Sequence, residues 1–159
     1  MSSVRSVEGV LDGAVEAVAT GLRELERIDF LRQFPTVEEA IRASIQASEE
    51  VWTGLVDGAP SAIWGVSHPV WVGVGVPIRA PWLALTARAT ENPIATLRHA
   101  RDMAERLRGQ YPVLHNWVPV EDEPARALLR FVGFRVLDDS EPYEGANGGL
   151  YFPFTMVRT

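Results

Sequence analysis

Apolar residues recur every three or four positions over residues 10–34, which predicts an amphipathic helix. The apolar face of this helix comprises Val15, Val18, Leu22, Leu25 and Ile28. Gly21 interrupts the pattern and predicts a break, because glycine weakens a helix interior. Thr36 followed by Glu39 forms a capping box, which predicts a second helix ending at about Glu49.

The pattern becomes β-rich at residue 51. Runs 51–56 and 61–66 contain many β-branched and aromatic residues, and an Asp-Gly pair at 57–58 lies between them. Such a pair between two β-rich runs predicts a hairpin. Residues 70–77 alternate valine and glycine, which indicates either an extension of a strand or a flexible loop.

Turn and cap residues divide the C-terminal half of the chain. Asn92 and Pro93 predict a helix start, and Gly109 predicts its end. Its apolar face comprises Ile94, Leu97, Met103 and Leu107. A second helix is predicted over 125–132, with Gly133 just beyond it. The remaining predicted strands are 4–9, 81–86, 112–120, 134–137 and 151–157, with a glycine-rich turn at 145–149.

The predicted order is β, α, α, β, β, β, α, β, α, β, β. A βαβ crossover after a meander predicts a protein of the α/β class (α+β with a mixed sheet). Its helices are expected to cover both faces of the sheet. The chain of 159 residues has the length of one domain, and it shows no internal repeat. We therefore predict a single domain over residues 1–159.

Composition narrows the classes of function. Hydrophobic residues make up 47% and charged residues 23%, as in globular proteins, and the net charge of −6 argues against nucleic acid as a partner. The sequence contains no cysteine, and its three histidines have no close carboxylate partner, so no metal site is expected. No apolar run is long enough to span a membrane, and the N-terminus is not typical of a secretory signal peptide.

The segment after residue 121 resembles the fourth-helix signature of the GNAT N-acetyltransferase superfamily. The matching positions are Asp122-x-x-Ala125-x-x-Leu128-Leu129-x-x-x-Gly133-Phe134. The family usually has Asn at the first of these positions and Tyr at the position of Leu129. This resemblance implies the GNAT-like acyl-CoA N-acyltransferase fold, which has a central twisted mixed sheet between helices.

A narrower resemblance covers roughly residues 40–137. Segments 58–66, 81–83 and 111–118, together with the helix that follows them, resemble GNAT-like proteins of short-tailed bacteriophages. Members of this group include internal virion protein A and uncharacterised acetyltransferase-like proteins. The resemblance implies a virion-associated protein, or one that contacts a host protein, located in the phage virion or in the host cytoplasm.

The GNAT resemblance also implies a place for acetyl-CoA, in a cleft where the fourth and fifth strands separate. Backbone groups of the fourth strand would pair with the pantetheine arm, and N–H groups at the next helix's N-terminus would hold the pyrophosphate. The implied cofactor contacts are Leu83, Ala84, Leu85, Arg88, Asn92, Asn116 and Asp122. Asp122 is equally well explained as a helix N-cap, which needs no ligand.

Three positions depart from the family's chemistry. In the pyrophosphate pattern Q/R-x-x-G-x-G/A, Arg88 matches, but Glu91 and Pro93 occupy the two small-residue positions. A carboxylate repels phosphate, and proline lacks an N–H donor. Leu129 replaces the tyrosine that commonly protonates the leaving thiolate. We therefore expect no cofactor; if the chain is an active enzyme, the cofactor is acetyl-CoA.

No catalytic residue is assigned firmly by the sequence. The candidates are His115 on the predicted fifth strand and Glu50 at the end of the predicted second helix. Further candidates are Tyr111, Glu49 and His68. A lone strand histidine is more often packed or hydrogen-bonded than catalytic, and carboxylates at a helix end are usually solvated.

Three functions remain open at this point. The first is a phage GNAT-fold component with a degenerate acetyl-CoA site, whose partners are other virion proteins or a host protein. The second is an active acetyl-CoA-dependent N-acetyltransferase with an atypical pyrophosphate turn, and the third is an unrelated α/β binding domain. An oligomer is also open, and Trp71 in the glycine-rich stretch is the candidate for an exposed interface anchor.

Overall fold

The computed structural model describes residues 3–73 and 75–158. Its strands are β1 Val4–Glu8, β2 Ser48–Val56, β3 Ala59–Ser67, β4 Val70–Trp71, β5 Pro77–Arg79, β6 Pro81–Leu85, β7 Val113–Pro119, β8 Arg135–Val136, β9 Tyr143–Glu144 and β10 Leu150–Val157. Its helices are α1 Ala14–Gly21, α2 Glu24–Gln33, α3 Val37–Gln46, α4 Ala87–Thr90, α5 Pro93–Gln110 and α6 Glu123–Val132. The predicted mixed α/β architecture is confirmed.

The chain divides into two compact units. The first contains residues up to 68 and 82–99, and the second contains residues 69–81 and those from 100 onward. The prediction of one domain over 1–159 stays a prediction. Each unit contains one sheet: the strand order is β1-β2-β3-β6 in the first and β4-β5-β7-β10-β8 in the second, where β9 also pairs with β10.

The sheet of the first unit is built around the predicted hairpin. β2 and β3 pair antiparallel, and Asp57 and Gly58 connect them with φ angles of 50° and 80°. Both angles are positive, as in the type I′ turn that the Asp-Gly pair predicts. The apolar core of this unit includes Val18, Ile41 and Ile63, none of which is accessible to solvent.

The helices of the first unit agree with the prediction in their places but not at their ends, and the predicted apolar face is wrong at Ile28, which is 40% exposed on α2, a helix with no buried residue. Residues 10–34 form two helices, α1 and α2, which separate after Gly21 as predicted. Thr36 caps α3 by accepting a hydrogen bond from the backbone N–H of Glu39 (3.1 Å). The expected end of this helix at Glu49 is wrong. Glu49 and Glu50 lie in β2, because the strand pairs with β3 from Ser48 onward.

The second unit is organised around β7. This strand pairs parallel with β5 and antiparallel with β10, and Leu114 and Val118 are buried. Phe134 and Phe154 pack edge to face, with ring centroids 5.2 Å apart. Gly133 follows α6 as predicted, and its φ of 111° lies in the left-handed region that glycine favours at a helix end.

Two further expectations need correction. Ile94 was placed on the apolar face of its helix, but 69% of its surface is exposed, because it lies in the first turn of α5. The short strand β9 was missed between the predicted strands near 134–137 and 151–157. Within the segment 70–77, Val70–Trp71 form β4 and Pro77 begins β5, which pairs antiparallel with β4; Val74 lies outside the described residues.

Candidate functional site

β6 is the last strand of the first sheet, so one of its edges faces away from β3. The backbone N–H of Thr86 donates to the carbonyl of Ser61 (3.0 Å), and the hydroxyl of Thr86 donates to the same carbonyl (2.8 Å). Backbone groups of successive residues in a strand point to opposite edges. The N–H and C=O of Leu85 therefore point to the outer edge of β6.

This outer edge is occupied by the start of α2. The backbone N–H of Arg23 donates to the carbonyl of Leu85 (3.2 Å), and the N–H of Leu85 donates to the Glu26 carboxylate (3.1 Å). Arg23 and Glu26 also form an ion pair (Nε–Oε2, 3.4 Å), with only 15% and 13% of their side chains exposed. The helix break after Gly21 allows these contacts with Leu85, because it brings the chain back to β6 through a β-bridge between Leu22 and Thr86.

The segment after β6 is a helical turn instead of an open loop. Thr86 caps α4, and its hydroxyl accepts a hydrogen bond from the N–H of Ala89 (3.4 Å). The N–H groups of Glu91 and Asn92 donate to the carbonyls of Arg88 (3.2 Å) and Ala89 (3.4 Å). These donors are therefore engaged within the turn.

The helix that follows begins at Pro93, as predicted. Pro93 has no N–H, and the N–H of Thr96 already donates to the carbonyl of Asn92 (3.0 Å). The hydroxyl of Thr96 also donates to the carbonyl of Ala89 (2.7 Å) and fixes α4 against α5. The N–H groups of Ile94 and Ala95 lie in the first turn of α5, where the helix itself provides no carbonyl acceptor for them.

The predicted cofactor contacts of the first unit have mixed exposure. Ala84 is fully buried in the core and Leu85 is 8% exposed, whereas Leu83 is half-buried. Arg88 is exposed on α4, and Asn92 connects α4 to α5. The side chains of Ala84 and Leu85 therefore contribute to packing, and a ligand at β6 would meet its backbone.

Among the catalytic candidates, Glu50 lies in the first unit. Its carboxylate accepts a hydrogen bond from the indole N–H of Trp52 (2.7 Å). The Trp52 ring stacks on that of Trp64, with centroids 5.6 Å apart. The Glu50 side chain is thus engaged with this aromatic pair instead of extending from a helix end.

The candidates of the second unit are engaged in contacts within that unit. Asn116 donates from its amide to the carbonyl of Pro81 (2.8 Å) and accepts from the N–H of Trp117 (2.9 Å). Asp122 is 2% exposed and caps α6 by accepting from the N–H of Ala125 (3.1 Å), as its N-cap interpretation requires. The His115 ring lies edge-on to that of Trp117, with centroids 5.4 Å apart.

The part of the chain that the structure describes contains no cluster of three or more potential metal ligands among its His, Asp and Glu residues. In the same residues, no helix combines the length and the apolar character that crossing a membrane requires.

No protein-family model and no curated protein matches this sequence. Solved structures do match. A GNAT-family acetyltransferase from Streptococcus pneumoniae superposes with a TM-score of 0.63 at 13% identity, covering 99% of this chain and 100% of that one. A putative acetyltransferase from Acinetobacter baylyi gives a TM-score of 0.70 at 10% identity, covering 99% and 94%. The chain has the GNAT acetyltransferase fold.

A third structure of this fold was determined with the cofactor. The aminoglycoside acetyltransferase AAC(6')-Ib in complex with coenzyme A matches with a TM-score of 0.66 at 13% identity, covering 98% of this chain and 95% of that one. Identities this low establish the GNAT fold and carry no activity with them.

The helix that resembles the GNAT signature is α6. Ala125 and Leu128 are half-buried, and Phe134 beyond the helix is buried. Leu129, at the family's tyrosine position, is half-buried as well and supplies no hydroxyl. The helix α6 therefore matches the signature at its packing positions and not at the position of the hydroxyl.

Sequence reasoning missed the two residues that occupy the edge of β6. Glu26 is separated from Leu85 by 59 positions, so no local pattern connects them. The available signal was weak: an Arg-x-x-Glu spacing directly after the break at Gly21, which is also common on solvated helices.

Proposed function

We propose that this GNAT-fold chain is a binding component with a degenerate acetyl-CoA site. Its setting is a short-tailed phage, where it is associated with the virion (as an internal or ejected protein) or contacts a host protein. The phage setting rests on the sequence resemblance of residues 40–137. The proposal about the cofactor rests on the contacts of β6 and of the turn after it.

The occupied edge of β6 carries the proposal. In an active member of the fold, backbone groups of this strand pair with the pantetheine arm. Here the N–H and C=O of Leu85 bond to Glu26 and Arg23 of the same chain. A pantetheine amide would have to displace both contacts and leave the largely buried ion pair between Arg23 and Glu26 without its backbone partner.

The turn after β6 supports the same conclusion. Pyrophosphate binding needs several free N–H groups that converge on one point. The N–H groups of Ala89, Glu91 and Asn92 are engaged within the turn, and Pro93 has none. The exposed carboxylate of Glu91 adds a negative charge where the phosphates would lie. These residues do not fit coenzyme A in the usual way.

The missing hydroxyl at Leu129 is a third departure, and it lies in the second unit. Without a tyrosine, the chain lacks the group that commonly protonates the thiolate in this fold. His115 is the nearest substitute in sequence, but its ring packs against Trp117. A protein that only binds a partner protein needs no group that protonates a thiolate.

A second candidate is an active N-acetyltransferase with an atypical pyrophosphate turn. It is favoured by the likeness to AAC(6')-Ib, whose structure was determined with coenzyme A. It is also favoured by the exposed Arg88, which matches the first position of the family's pyrophosphate pattern. In this case Ile94 and Ala95 would supply the N–H groups at the start of α5.

Ligand-induced thermal stabilisation separates the two candidates, because a ligand that binds the native state must stabilise it. We expect roughly millimolar acetyl-CoA to leave the unfolding midpoint of the natural chain unchanged. The variant E26A/E91G/P93A frees the N–H of Leu85 at the edge of β6 and restores small residues in the turn, and it is expected to gain a ligand-dependent rise. Each variant is compared with its own midpoint without ligand.

A clear rise for the natural chain would overturn the proposal in favour of the enzyme. Release of free thiol from acetyl-CoA in the presence of an amine would do the same. The proposed binding role is tested separately, by asking whether the chain co-purifies with phage particles. Absence from particles, together with no recovery of a host protein on the immobilised chain, would contradict it.

A further inference from the structure

A hairpin in the second unit exposes an unusual amount of apolar surface. The described residues of 69–78, which are all but Val74, contain β4 and the start of β5. The exposed fractions are 62% for Val70, 63% for Trp71, 64% for Val72 and 47% for Val76. Single exposed apolar residues are common, but four large ones within seven positions form a patch, and patches of this kind usually mark an interaction site.

The same hairpin lies at the edge of its sheet. β4 is the terminal strand of the second sheet, and its neighbour is β5, through the pairs Val70↔Ile78 and Trp71↔Pro77. Proteins protect exposed edges with charged side chains, proline or short strands, because an unprotected edge pairs with other strands. With two residues, β4 offers few hydrogen bonds to a partner strand. Residues 69–78 contain no charged side chain. Pro69 protects only the position before β4.

We propose that this edge pairs with a second copy of the chain. The residues at the edge read Val70-Trp71-Val72, the same in both directions. An antiparallel pair about a twofold axis at Trp71 places the two tryptophans together and each Val70 opposite Val72 of the other copy. Such an interface is self-complementary, as a symmetric dimer requires.

Charge favours a second copy over a charged partner. Residues 69–78 carry no charge, so pairing of this edge with itself brings no like charges of these residues together, whereas a basic partner would find no carboxylate among them. The net charge of −6 opposes association at long range, and salt screens this repulsion. A dimer held by the apolar edge should therefore strengthen as salt rises, and a complex held by ion pairs should weaken.

The area of the patch sets the strength of the dimer. The four exposed side chains offer about 400 Å² per copy, or about 800 Å² for the pair. Stable specific interfaces usually bury at least about 1,200 Å². We therefore expect a weak dimer that dissociates on dilution.

Sedimentation equilibrium of the full chain over a wide concentration range tests the proposal. We expect a monomer–dimer equilibrium that Trp71→Ser weakens at least about tenfold, a change typical for an aromatic anchor. Because Trp71 is largely exposed, the unfolding midpoint of the Trp71→Ser variant should stay within a few degrees of that of the natural chain. Ile94→Ser is the matched control: it removes a similarly exposed apolar side chain outside the hairpin and should leave the dimer unchanged.

Three outcomes would overturn the proposal. One is a monomer at every concentration and salt level. Another is a dimer that Trp71→Ser leaves intact, which would place the interface elsewhere. The third is binding of the monomer to phosphatidylcholine vesicles that Trp71→Ser abolishes, which would assign the hairpin to a lipid surface instead.

Discussion

The carboxylate of Glu26 accepts a hydrogen bond of 3.1 Å from the backbone N–H of Leu85, so a side chain of α2 closes the outer edge of β6. Covering with a helix or loop is one of the ways in which proteins protect a strand edge. Here the closure is charged, and Arg23 holds the carboxylate from the side (3.4 Å). The contacts among Arg23, Glu26 and Leu85 therefore stabilise the fold, and they also occupy the backbone groups to which a cofactor would bind.

Removing the Glu26 carboxylate should destabilise the chain. Glu26→Ala leaves the N–H of Leu85 and the Arg23 guanidinium without this acceptor, which should lower the free energy of unfolding by about 1–3 kcal/mol. Glu26→Gln keeps an acceptor oxygen and should lower it less. Urea denaturation measures both, with Glu24→Ala on the exposed face of the same helix turn as the control. Equal losses for Glu24→Ala and Glu26→Ala would contradict the assigned contact.

Local signals predicted the elements whose causes are local. The Asp57-Gly58 pair sets the turn between β2 and β3, and Gly133 ends α6, because both needed positive φ angles that few residues adopt. The contact between Glu26 and Leu85 could not be predicted, since nothing nearby in the chain determines it. The same holds for β9, whose two residues are too short to show a period.

The end of α3 shows how tertiary pairing overrides a local pattern. Helical spacing alone favoured continuation to Glu49, but the chain leaves the helix at Ala47 and pairs with β3 from Ser48. The candidate site was predictable only in part. The departures at Glu91, Pro93 and Leu129 could be seen in the sequence, whereas the helical turn α4 and its engaged N–H groups could not.

Asp122 should behave as a helix cap. Asp122→Ala removes the acceptor for the N–H of Ala125 at a buried position, and it should cost about 1–2 kcal/mol of unfolding free energy. Asp122→Asn keeps a side-chain oxygen and should cost clearly less. Thermal and urea unfolding measure both. If the two variants lost equal stability, the negative charge of Asp122 and not its capping oxygen would be what the fold requires.

Gly133 should be intolerant of a side chain. Its φ of 111° is unfavourable for any L-residue, and an added Cβ would lie 2.6 Å from Nη2 of Arg108. Since the Arg108 side chain can move, the backbone strain should dominate, at about 1–3 kcal/mol for Gly133→Ala. Gly109→Ala is the matched control: its added Cβ meets no atom within 4 Å, and it lies inside α5, where alanine should stabilise by roughly 0.5–1 kcal/mol. Equal effects in urea denaturation would contradict the assignment.

Asp138 should make the stability of the second unit sensitive to acid. Its carboxylate accepts hydrogen bonds from Arg130 and Arg126 on α6, and the bond from Arg130 is the main reason why the pKa of Asp138 lies below its ordinary value. A carboxyl with a lowered pKa in the folded state binds protons more weakly there than in the unfolded chain. Its contribution is therefore complete above the unfolded pKa of about 3.9 and is lost as pH falls through the folded value.

Urea denaturation between neutral pH and about pH 3 tests this linkage. Asp138→Asn should be less stable than the natural chain at neutral pH, and the difference should shrink as pH falls below about 4, because the natural chain then loses the same charge. Asp139→Asn is the control, since Asp139 is exposed and follows directly in the chain. A difference that stays constant down to pH 3 would mean that Asp138 stabilises the chain through packing and not through its charge.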